Sequence, residues 1–388
     1  MSKERRPPIP NAVPHLAGNE WRYVKECLDT NWVSSVGPFV ERFEREVAAW
    51  TGVPYAVATV NGSAALHVAL LAAGVARDDE VLLPAFTFVS TAHAVAYCGA
   101  HPVFMDSETA SWGMDPGKVA AFLSEECLVK DGRVVNRGTG RTVRALLPVH
   151  LYGHPCDLDP FLELTERYPL VVVEDSAEAL GAAYKGRRVG VEALAGCLSF
   201  NGNKIITTGG GGMVLTRDQA FAARVRRLTT QARGSSIEFE HEEIGYNYRL
   251  TNLAAALGVA QLEQLESFVE DKRRTAEHYR AALAGVGGVS VFGEAPWARS
   301  TYWMSSILLD ERVCPDVRAL VRALNDDGIG ARPLWRPLHR QPAFVSAQHY
   351  RVEVAERLYA RGLSLPCSVG ITPDQREVVV QALVARLT

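Results

Sequence analysis

The chain has 388 residues, of which 47% are hydrophobic and 22% are charged, and its formal net charge is −3. This composition is that of a soluble globular protein long enough for two domains. It lacks the basic surplus with which proteins bind nucleic acid, and no apolar run reaches the ~18 residues that a membrane span needs. The charged, proline-rich start, "MSKERRPPIPNAVP", has no apolar core, so we expect a cytoplasmic protein without a secretory signal.

The seven cysteines are scattered along the chain and include no CxxC pair. Their odd number and their spacing predict reduced thiols rather than a disulfide framework, and they predict no metal site. We expect most of them to lie in the core as small hydrophobic side chains.

Short apolar runs alternate with helical patterns from about residue 55 to residue 215. The run "YAVATV" precedes the helical pattern "SAALHVALLAAGV", and the strand pattern "EVLLPAF" precedes the helical pattern "TFVSTAHAVAYCGA". "HPVFMD", "RALLPVHLYG" and "LVVVEDSAEALG" continue the alternation, and "CLSFNGN" and "GGGMVLT" are β runs on either side of Lys204. This alternation predicts βαβ units and an α/β fold with a mostly parallel sheet covered by helices.

A second region begins near Leu250. One long amphipathic helical pattern, with a break inside it, covers "TNLAAALGVAQLEQLESFVEDKRRTAEHYRAALAG", and short strand patterns such as "VSVF" and "YWMSSILL" follow. The sequence therefore predicts a large α/β domain over residues 1–250 and a smaller α+β domain over residues 251–388.

Four short segments of the first domain carry residues that suit a cofactor. Asp175 ends an apolar strand, at the edge where open α/β sheets bind ligands. Lys204 precedes four glycines, which would let the backbone approach a bulky group closely. Gly62 and Ser63 open a helix whose free N–H groups attract an anion. Phe86 follows a strand, where an aromatic ring is able to stack on a flat cofactor.

Each of these features also has an ordinary structural explanation. Asp175 and Ser63 are suited to cap a helix, Lys204 is suited to a solvated turn, and Phe86 is suited to the core. Together, and in this chain order, they match the needs of pyridoxal 5′-phosphate. That cofactor requires N–H donors for its phosphate, an aromatic face, a carboxylate for its ring nitrogen and a lysine for its aldehyde.

With these residues in place, the chain resembles the DegT/DnrJ/EryC1/StrS family of sugar aminotransferases over nearly its whole length. The resemblance implies the pyridoxal-phosphate-dependent transferase fold type I, with a large domain and a smaller C-terminal domain. It also implies a transaminase that works as a homodimer. The segments that carry the resemblance are "NGSAAL", "PAFTFVSTAHA", "VHLYGHPCDLD", "EDSAEALGA", "SFNGNKIITTGGGGM" and "GYNYRLTNLAAALG".

The resemblance implies a role for each matching position. Lys204 would carry the internal aldimine and move protons as base and then acid. Asp175 would pair with the pyridine nitrogen, and Phe86 would stack on the ring. Glu178 stands where glutamine or histidine is common and would lie near the 3-hydroxyl. Four residues would bind the cofactor phosphate, the last of them from the neighbouring subunit: Gly62, Ser63, Ser199 and Asn247.

The N-terminal stretch "GNEWRYVKECLDTNWVSSVG" and the lysine segment resemble most the branch that aminates UDP-2-acetamido-4-keto-2,4,6-trideoxyglucose with glutamate as donor. That branch makes sugars of the bacillosamine or legionaminic type, and in it the segment Trp32–Ser34 would lead into the site. The alternative is a GDP-perosamine synthase acting on GDP-4-keto-6-deoxymannose. "RPLWRPLH" offers a substrate diphosphate Arg332, Arg336 or His339, each of which is equally suited to a plain surface role.

Two further alternatives belong to other functional classes. In one branch of the family that the chain resembles, a histidine replaces the lysine and the reaction is a dehydration; the resemblance therefore implies that Lys204 favours transamination, while other pyridoxal-phosphate reactions stay open. A non-catalytic regulator with the same fold is disfavoured, because both Lys204 and Asp175 are present.

Overall fold

The computed structural model describes residues 7–234, 238 and 240–387. A ten-stranded sheet lies at its centre, and sheets of four and three strands accompany it. The strands in chain order are β1 (Tyr55–Thr59), β2 (Glu80–Pro84), β3 (His101–Met105), β4 (Cys127–Lys130), β5 (Arg133–Asn136), β6 (Thr142–Leu146), β7 (Val171–Asp175), β8 (Ala183–Tyr184), β9 (Arg187–Arg188), β10 (Ala195–Ser199), β11 (Gly212–Thr216), β12 (Val289–Val291), β13 (Ala298–Arg299), β14 (Ser305–Leu309), β15 (Arg332–Pro333), β16 (His349–Tyr350) and β17 (Gly362–Leu365).

Helices cover the sheets, and short 3₁₀ turns occur at Leu151–Gly153, Leu338–Arg340 and Pro342–Phe344. Within the described ranges, no helix combines the length and the apolar character that crossing a membrane requires. The helices in chain order are α1 (Glu20–Asp29), α2 (Pro38–Thr51), α3 (Gly62–Ala72), α4 (Ser90–Tyr97), α5 (Pro116–Glu125), α6 (Asp159–Arg167), α7 (Gln219–Thr229), α8 (Asn252–Leu262), α9 (Leu265–Leu283), α10 (Val317–Asp326), α11 (Val354–Arg361) and α12 (Pro373–Val384).

Eight strands of the central sheet run in the order β1-β11-β10-β7-β6-β2-β3-β16, and the other two lie beside them, with β5 antiparallel to both β6 and β4. The strands from β10 to β16 in this order are parallel to one another, whereas β11 is antiparallel to both β1 and β10. The prediction of a mostly parallel sheet is therefore confirmed. Because β1, β10, β7, β6 and β2 all point the same way, the segments that follow them meet at one edge of the sheet.

Three clusters of buried side chains form the core. One packs α2, α3, α4, α7 and α8 on a face of the central sheet, and a second packs α5 and α6 against the sheet. A third lies between α9, α10, α12 and the four-stranded sheet. Helix α9 joins the first cluster to the third, since Phe268 belongs to the former and Tyr279 to the latter. All seven cysteines are buried free thiols.

The packing also bears on how the chain divides into domains. Helix α8 packs against α1 and α2, so it lies with the larger core, although it follows Leu250 in sequence. The division into residues 1–250 and 251–388 stays a prediction. The expected break in the long helical pattern is confirmed, because α8 ends at Leu262 and α9 begins at Leu265.

Candidate active site

A cavity of about 800 Å³ opens at the carboxyl edge of the central sheet. Its wall combines segments that follow the central strands with residues of the C-terminal region, such as Trp303 and Trp335, and with Pro10–Val13 near the N-terminus. Six of the eight sequence-predicted site residues line it: Gly62, Ser63, Asp175, Glu178, Ser199 and Lys204.

One end of the cavity is the first turn of α3. The Asn61 side chain caps this helix by accepting the N–H of Ala64 at 2.7 Å, and Ser63 lies beside it in the cavity lining. A Cβ on Gly62 would stand 2.7 Å from Cβ and 3.0 Å from Oγ of Ser199, so the missing side chain brings the Ser199 hydroxyl next to the helix start. Free N–H groups, a helix dipole and two hydroxyls make this end suitable for a phosphate.

Gly212, the last glycine of the run after Lys204, lies directly behind this end of the cavity. A Cβ on Gly212 would lie 2.4 Å from the carbonyl oxygen of Asn61 and 2.7 Å from the nitrogen of Gly62. Gly212 therefore lets β11 approach the backbone of the α3 start, and β11 supports that start from behind. The sequence had indicated a close approach to the cofactor itself, whereas the close approach at Gly212 is to the protein backbone that forms the anion site.

Asp175 lies on the floor of the cavity at the end of β7. Its carboxylate accepts a hydrogen bond from the Thr91 hydroxyl at 2.8 Å and another from the Ala177 N–H at 3.1 Å. The residue is 4% exposed, and burial raises the pKa of its carboxyl above the ordinary value, although these two hydrogen bonds oppose the rise. Thr91 of α4 was missed by the sequence reasoning, although it lies in the quoted segment "PAFTFVSTAHA".

The neighbouring Glu174 points to the other side of β7, as alternation along a strand requires. Its carboxylate lies 2.8 Å from Nε2 of the buried His150 and accepts the backbone N–H groups of Gly190, Glu192 and Ala193. On the other edge of His150, Nδ1 accepts the N–H of Cys156 at 3.2 Å. This buried network fixes the strand end and thereby the position of Asp175, the only one of the two carboxylates that lines the cavity.

Lys204 and Glu178 meet on the same floor. Nζ of Lys204 lies 3.5 Å from Oε1 of Glu178 and 4.1 Å from the centre of the Trp303 ring. The second oxygen of Glu178 accepts the backbone N–H of Tyr152 at 2.8 Å. Burial raises the pKa of the Glu178 carboxyl to about 7, and the neighbouring Asp175 adds to this rise while Lys204 opposes it. The Glu178 carboxyl is thus a proton acceptor beside an amine that is only 12% exposed.

The two phenylalanines that follow β2 differ in position. Phe86 is fully buried and contacts Tyr152 and Trp335, which themselves line the cavity. Phe88 lines the cavity directly, is 50% exposed, and contacts Trp335 with ring centres 5.7 Å apart. The structure thus places Phe86 one layer behind the wall, because the chain turns after Pro84, and presents Phe88 to the space where a ring would stack.

The remaining candidate residues lie outside the lining of this chain's cavity. Asn247 is exposed and pairs through its backbone with Thr230. The segment Trp32–Ser34 is held by Asn252, which donates to the Trp32 carbonyl at 2.8 Å. Of the three candidate partners for a diphosphate, Arg332 lines the cavity, Arg336 is exposed elsewhere, and His339 is engaged with Glu356 at 2.9 Å.

The segment Pro10–Val13 closes the cavity from the side and is fastened to the C-terminal region. The preceding Ile9 exchanges backbone hydrogen bonds of 2.8 Å with Gly328 and Gly330. The amide of Asn11 donates to the Ser364 carbonyl at 3.2 Å, and the N–H of Val13 donates to Oγ of Ser368 at 3.1 Å. This segment was not predicted from the sequence, which offers no hydrophobic pattern there.

The donor set of the cavity fits pyridoxal 5′-phosphate. The α3 start with Ser199 suits the phosphate, Asp175 suits a protonated ring nitrogen, and Lys204 suits the aldehyde. Phe88 offers a ring face, and the volume suits a cofactor together with a substrate. The fold and the site together define a pyridoxal-phosphate-dependent enzyme.

Comparison with known proteins names the family. Residues 14–384 match the DegT/DnrJ/EryC1/StrS aminotransferase family. GDP-perosamine synthase from Caulobacter vibrioides is 39% identical over 378 residues, 97% of this chain and 98% of that protein. GDP-perosamine synthase from Escherichia coli O157:H7 is 38% identical over 367 residues, 95% of each chain. The solved structure of DesV from S. venezuelae has a TM-score of 0.83 at 30% identity, covering 95% of this chain and 94% of that one.

The chain therefore belongs to the DegT/DnrJ/EryC1/StrS aminotransferase family, and its cofactor is pyridoxal 5′-phosphate. The resemblance drawn from the sequence motifs is confirmed at the level of the family and the fold. The UDP-linked branch is not confirmed, since the two relatives above are named for a GDP-linked sugar.

Proposed function

We propose that the protein transfers the amino group of glutamate to C4 of GDP-4-keto-6-deoxymannose, releasing 2-oxoglutarate and GDP-perosamine. The observation that carries the transaminase part is the convergence of Lys204, Asp175 and the α3 start on one cavity. The two GDP-perosamine synthases, similar over nearly their whole length, support this substrate over the UDP-linked sugar that the sequence motifs had favoured.

Bound pyridoxal 5′-phosphate supplies an electron-withdrawing ring that stabilises the carbanion formed when a proton leaves the carbon bearing nitrogen. We assign to Asp175 the task of holding the proton on the ring nitrogen. Nζ of Lys204 removes the proton from the substrate carbon and returns it one position away, as general base and then acid. Glu178, 3.5 Å from Nζ, takes up the proton that the amine must lose before it reacts. Gly62, Ser63 and Ser199 hold the phosphate.

The ring-stacking role belongs, in this proposal, to Phe88 rather than to Phe86. The support is their exposure: Phe86 is fully buried, whereas Phe88 is half exposed in the cavity wall. An offset stack against a flat ring contributes about 0.5–1.5 kcal/mol beyond the buried area.

We also propose that the active site is shared between the subunits of a homodimer, with Asn247 reaching the cofactor phosphate of the neighbouring subunit. In support, Asn247 is exposed and lies outside the cavity lining of its own chain. Mixing inactive Lys204→Ala subunits with inactive Asn247→Ala subunits tests this assignment. Activity should return in the mixture, because one of the two sites in a mixed dimer has both residues. Mixtures that stay inactive although mixed dimers form would refute sharing.

The substrate is tested by incubating the loaded enzyme with isotope-labelled glutamate and a panel of GDP- and UDP-linked 4-keto sugars. Mass spectrometry should show the label in a GDP-linked 4-amino sugar, with the highest kcat/KM for GDP-4-keto-6-deoxymannose. A higher kcat/KM for the UDP-linked 2-acetamido sugar would reverse the proposal in favour of the second candidate.

The same experiment separates an enzyme from a non-catalytic regulator. Glutamate alone should convert the bound cofactor to its amino form, which absorbs at shorter wavelength, and should release 2-oxoglutarate. A protein that binds the cofactor but shows no such half-reaction would not be a transaminase.

A further inference from the structure

One cationic side chain of the cavity has no partner in the described part of the chain. Lys204 and Arg332 are the cationic side chains among the described residues that line the cavity. Lys204 is nearly buried and faces Glu178 at 3.5 Å. Arg332 is exposed, and its guanidinium takes part in neither an ion pair nor a hydrogen bond within residues 7–234, 238 and 240–387.

The backbone of Arg332 is nevertheless held from both sides. Arg332 lies in the edge strand β15, directly opposite Ser364 of β17. The segment before it is held by Ile9, whose N–H donates to the Gly328 carbonyl and whose carbonyl accepts the N–H of Gly330, both at 2.8 Å. Asn11 in turn donates to the Ser364 carbonyl. A firmly placed backbone thus presents to the cavity a guanidinium that is unpaired among the described residues, which is the arrangement of a binding group rather than of a structural ion pair.

The other anion-binding groups of the cavity are already used. Under the proposed function, the α3 start with Ser63 and Ser199 would hold the cofactor phosphate, and Lys204 would bind the cofactor aldehyde. Both substrates under the proposed function are anions, since one carries a nucleoside diphosphate and the other carries carboxylates. They react in two successive half-reactions in the same space, so they occupy the cavity at different times.

We propose that Arg332 is the anion-binding residue that both substrates use in turn, the diphosphate of the nucleotide sugar in one half-reaction and a carboxylate of glutamate in the other. This inference rests on the proposed function. The planar guanidinium with its fork of donors matches either anion bidentately, so one side chain serves both without rearrangement of the backbone. It follows that a free nucleoside diphosphate competes with glutamate for the enzyme.

The test compares the cofactor-loaded wild-type enzyme with Arg332→Gln, Arg332→Lys and the control Arg357→Gln. Arg357 is an exposed arginine of α11 outside the cavity lining. Calorimetry measures the affinity for GDP and for UDP, and steady-state kinetics give KM and kcat for glutamate and for the nucleotide sugar. Thermal unfolding confirms that the variants are folded.

We expect Arg332→Gln to weaken binding of the preferred nucleoside diphosphate by about 10–100-fold, the range of one charge-assisted hydrogen-bonded contact. The KM values of both substrates should rise by a similar factor with little change in kcat. Arg332→Lys should fall in between, and Arg357→Gln should match the wild type. In the wild type, the nucleoside diphosphate should inhibit the glutamate half-reaction competitively.

Equal nucleoside diphosphate affinity in Arg332→Gln and Arg357→Gln would overturn the proposal. A rise in KM confined to one of the two substrates would overturn the shared use. Neither result would contradict the proposed function. That function is refuted by a different result, namely that the wild-type enzyme aminates no nucleotide sugar in the panel.

Discussion

The floor and the mouth of the cavity are built in opposite ways. On the floor, Asp175, Glu178 and Lys204 are nearly buried and have partners within the chain, and burial raises the pKa of both carboxyls. At the mouth, Phe88 is half exposed and the Arg332 guanidinium has no partner in the described part of the chain. Groups on the floor are thus held by the protein itself, whereas groups at the mouth leave their contacts to a ligand. Substitutions on the floor should therefore affect chemistry and folding, and those at the mouth should affect affinity.

The largest expected effect is that of Lys204→Ala. The rate of amino transfer should fall by about 10⁴-fold, because the variant loses both the amine that binds the cofactor and the proton carrier. Single-turnover transfer from glutamate measures this, and borohydride should trap the cofactor on the wild type but not on Lys204→Ala. The control is Lys185→Ala, since Lys185 pairs with Asp159 at the surface, outside the cavity. Comparable rates in the two variants would show that the floor does not carry the chemistry.

The two phenylalanines allow a buried position behind the wall and the mouth to be compared with one residue type. Phe86→Ala should lower the free energy of unfolding by about 3–5 kcal/mol, because it removes a fully buried ring. Phe88→Ala should change it by less than about 0.5 kcal/mol but weaken cofactor binding. Urea unfolding and cofactor titration measure the two quantities. Similar losses of stability in both variants would contradict the layering of the two rings.

Glu178 should make the stability of the cofactor-free protein depend on pH. The pKa of its carboxyl is about 7 in the fold against 4.5 ordinarily, so the folded state holds this proton more tightly than the unfolded chain. The resulting stabilisation is fully present below pH 4.5 and is lost as the pH rises through about 7. It amounts to roughly 3 kcal/mol.

Urea unfolding of the cofactor-free wild type and Glu178→Gln across this pH range isolates the effect, because all other titrating groups are common to both. The free energy of unfolding of the wild type relative to the variant should decline with rising pH. A difference that stays constant would show that Glu178 titrates normally in the fold.

A smaller effect is expected at the phosphate end. Gly62→Ala would place a Cβ 2.7 Å from that of Ser199, which must then move away from the α3 start. Relieving such a contact costs about 1–3 kcal/mol, and part of this should appear as weaker cofactor binding. Gly287→Ala is the control, since a Cβ there would meet open space. Unchanged cofactor affinity in Gly62→Ala would remove Ser199 from the phosphate site.

The sequence was informative where a functional residue belongs to a local pattern of strands and helices. Asp175 at a strand end, Gly62 and Ser63 at a helix start, and Lys204 between two strands could each be located from the order of elements alone, and all four residues line the cavity. The choice between Phe86 and Phe88 could not be made this way, because it depends on how the chain turns after β2.

The mouth was less predictable, since it brings together distant parts of the chain. Arg332, Arg336 and His339 were equivalent in sequence, and only the pairing of β15 with β17 separates Arg332 from the others. Thr91 as the partner of Asp175 likewise depends on the packing of α4 against the end of β7.

The segment Pro10–Val13 has a consequence for how the protein is made. Asn11 bonds to Ser364, a partner 353 positions later in the chain. Contacts of such sequence separation form late in folding, because the loop between them must close first. Asn11 therefore cannot reach its native partner until Ser364 has been synthesised. The side of the cavity that Pro10–Val13 closes is thus completed only once this distant part of the chain is present.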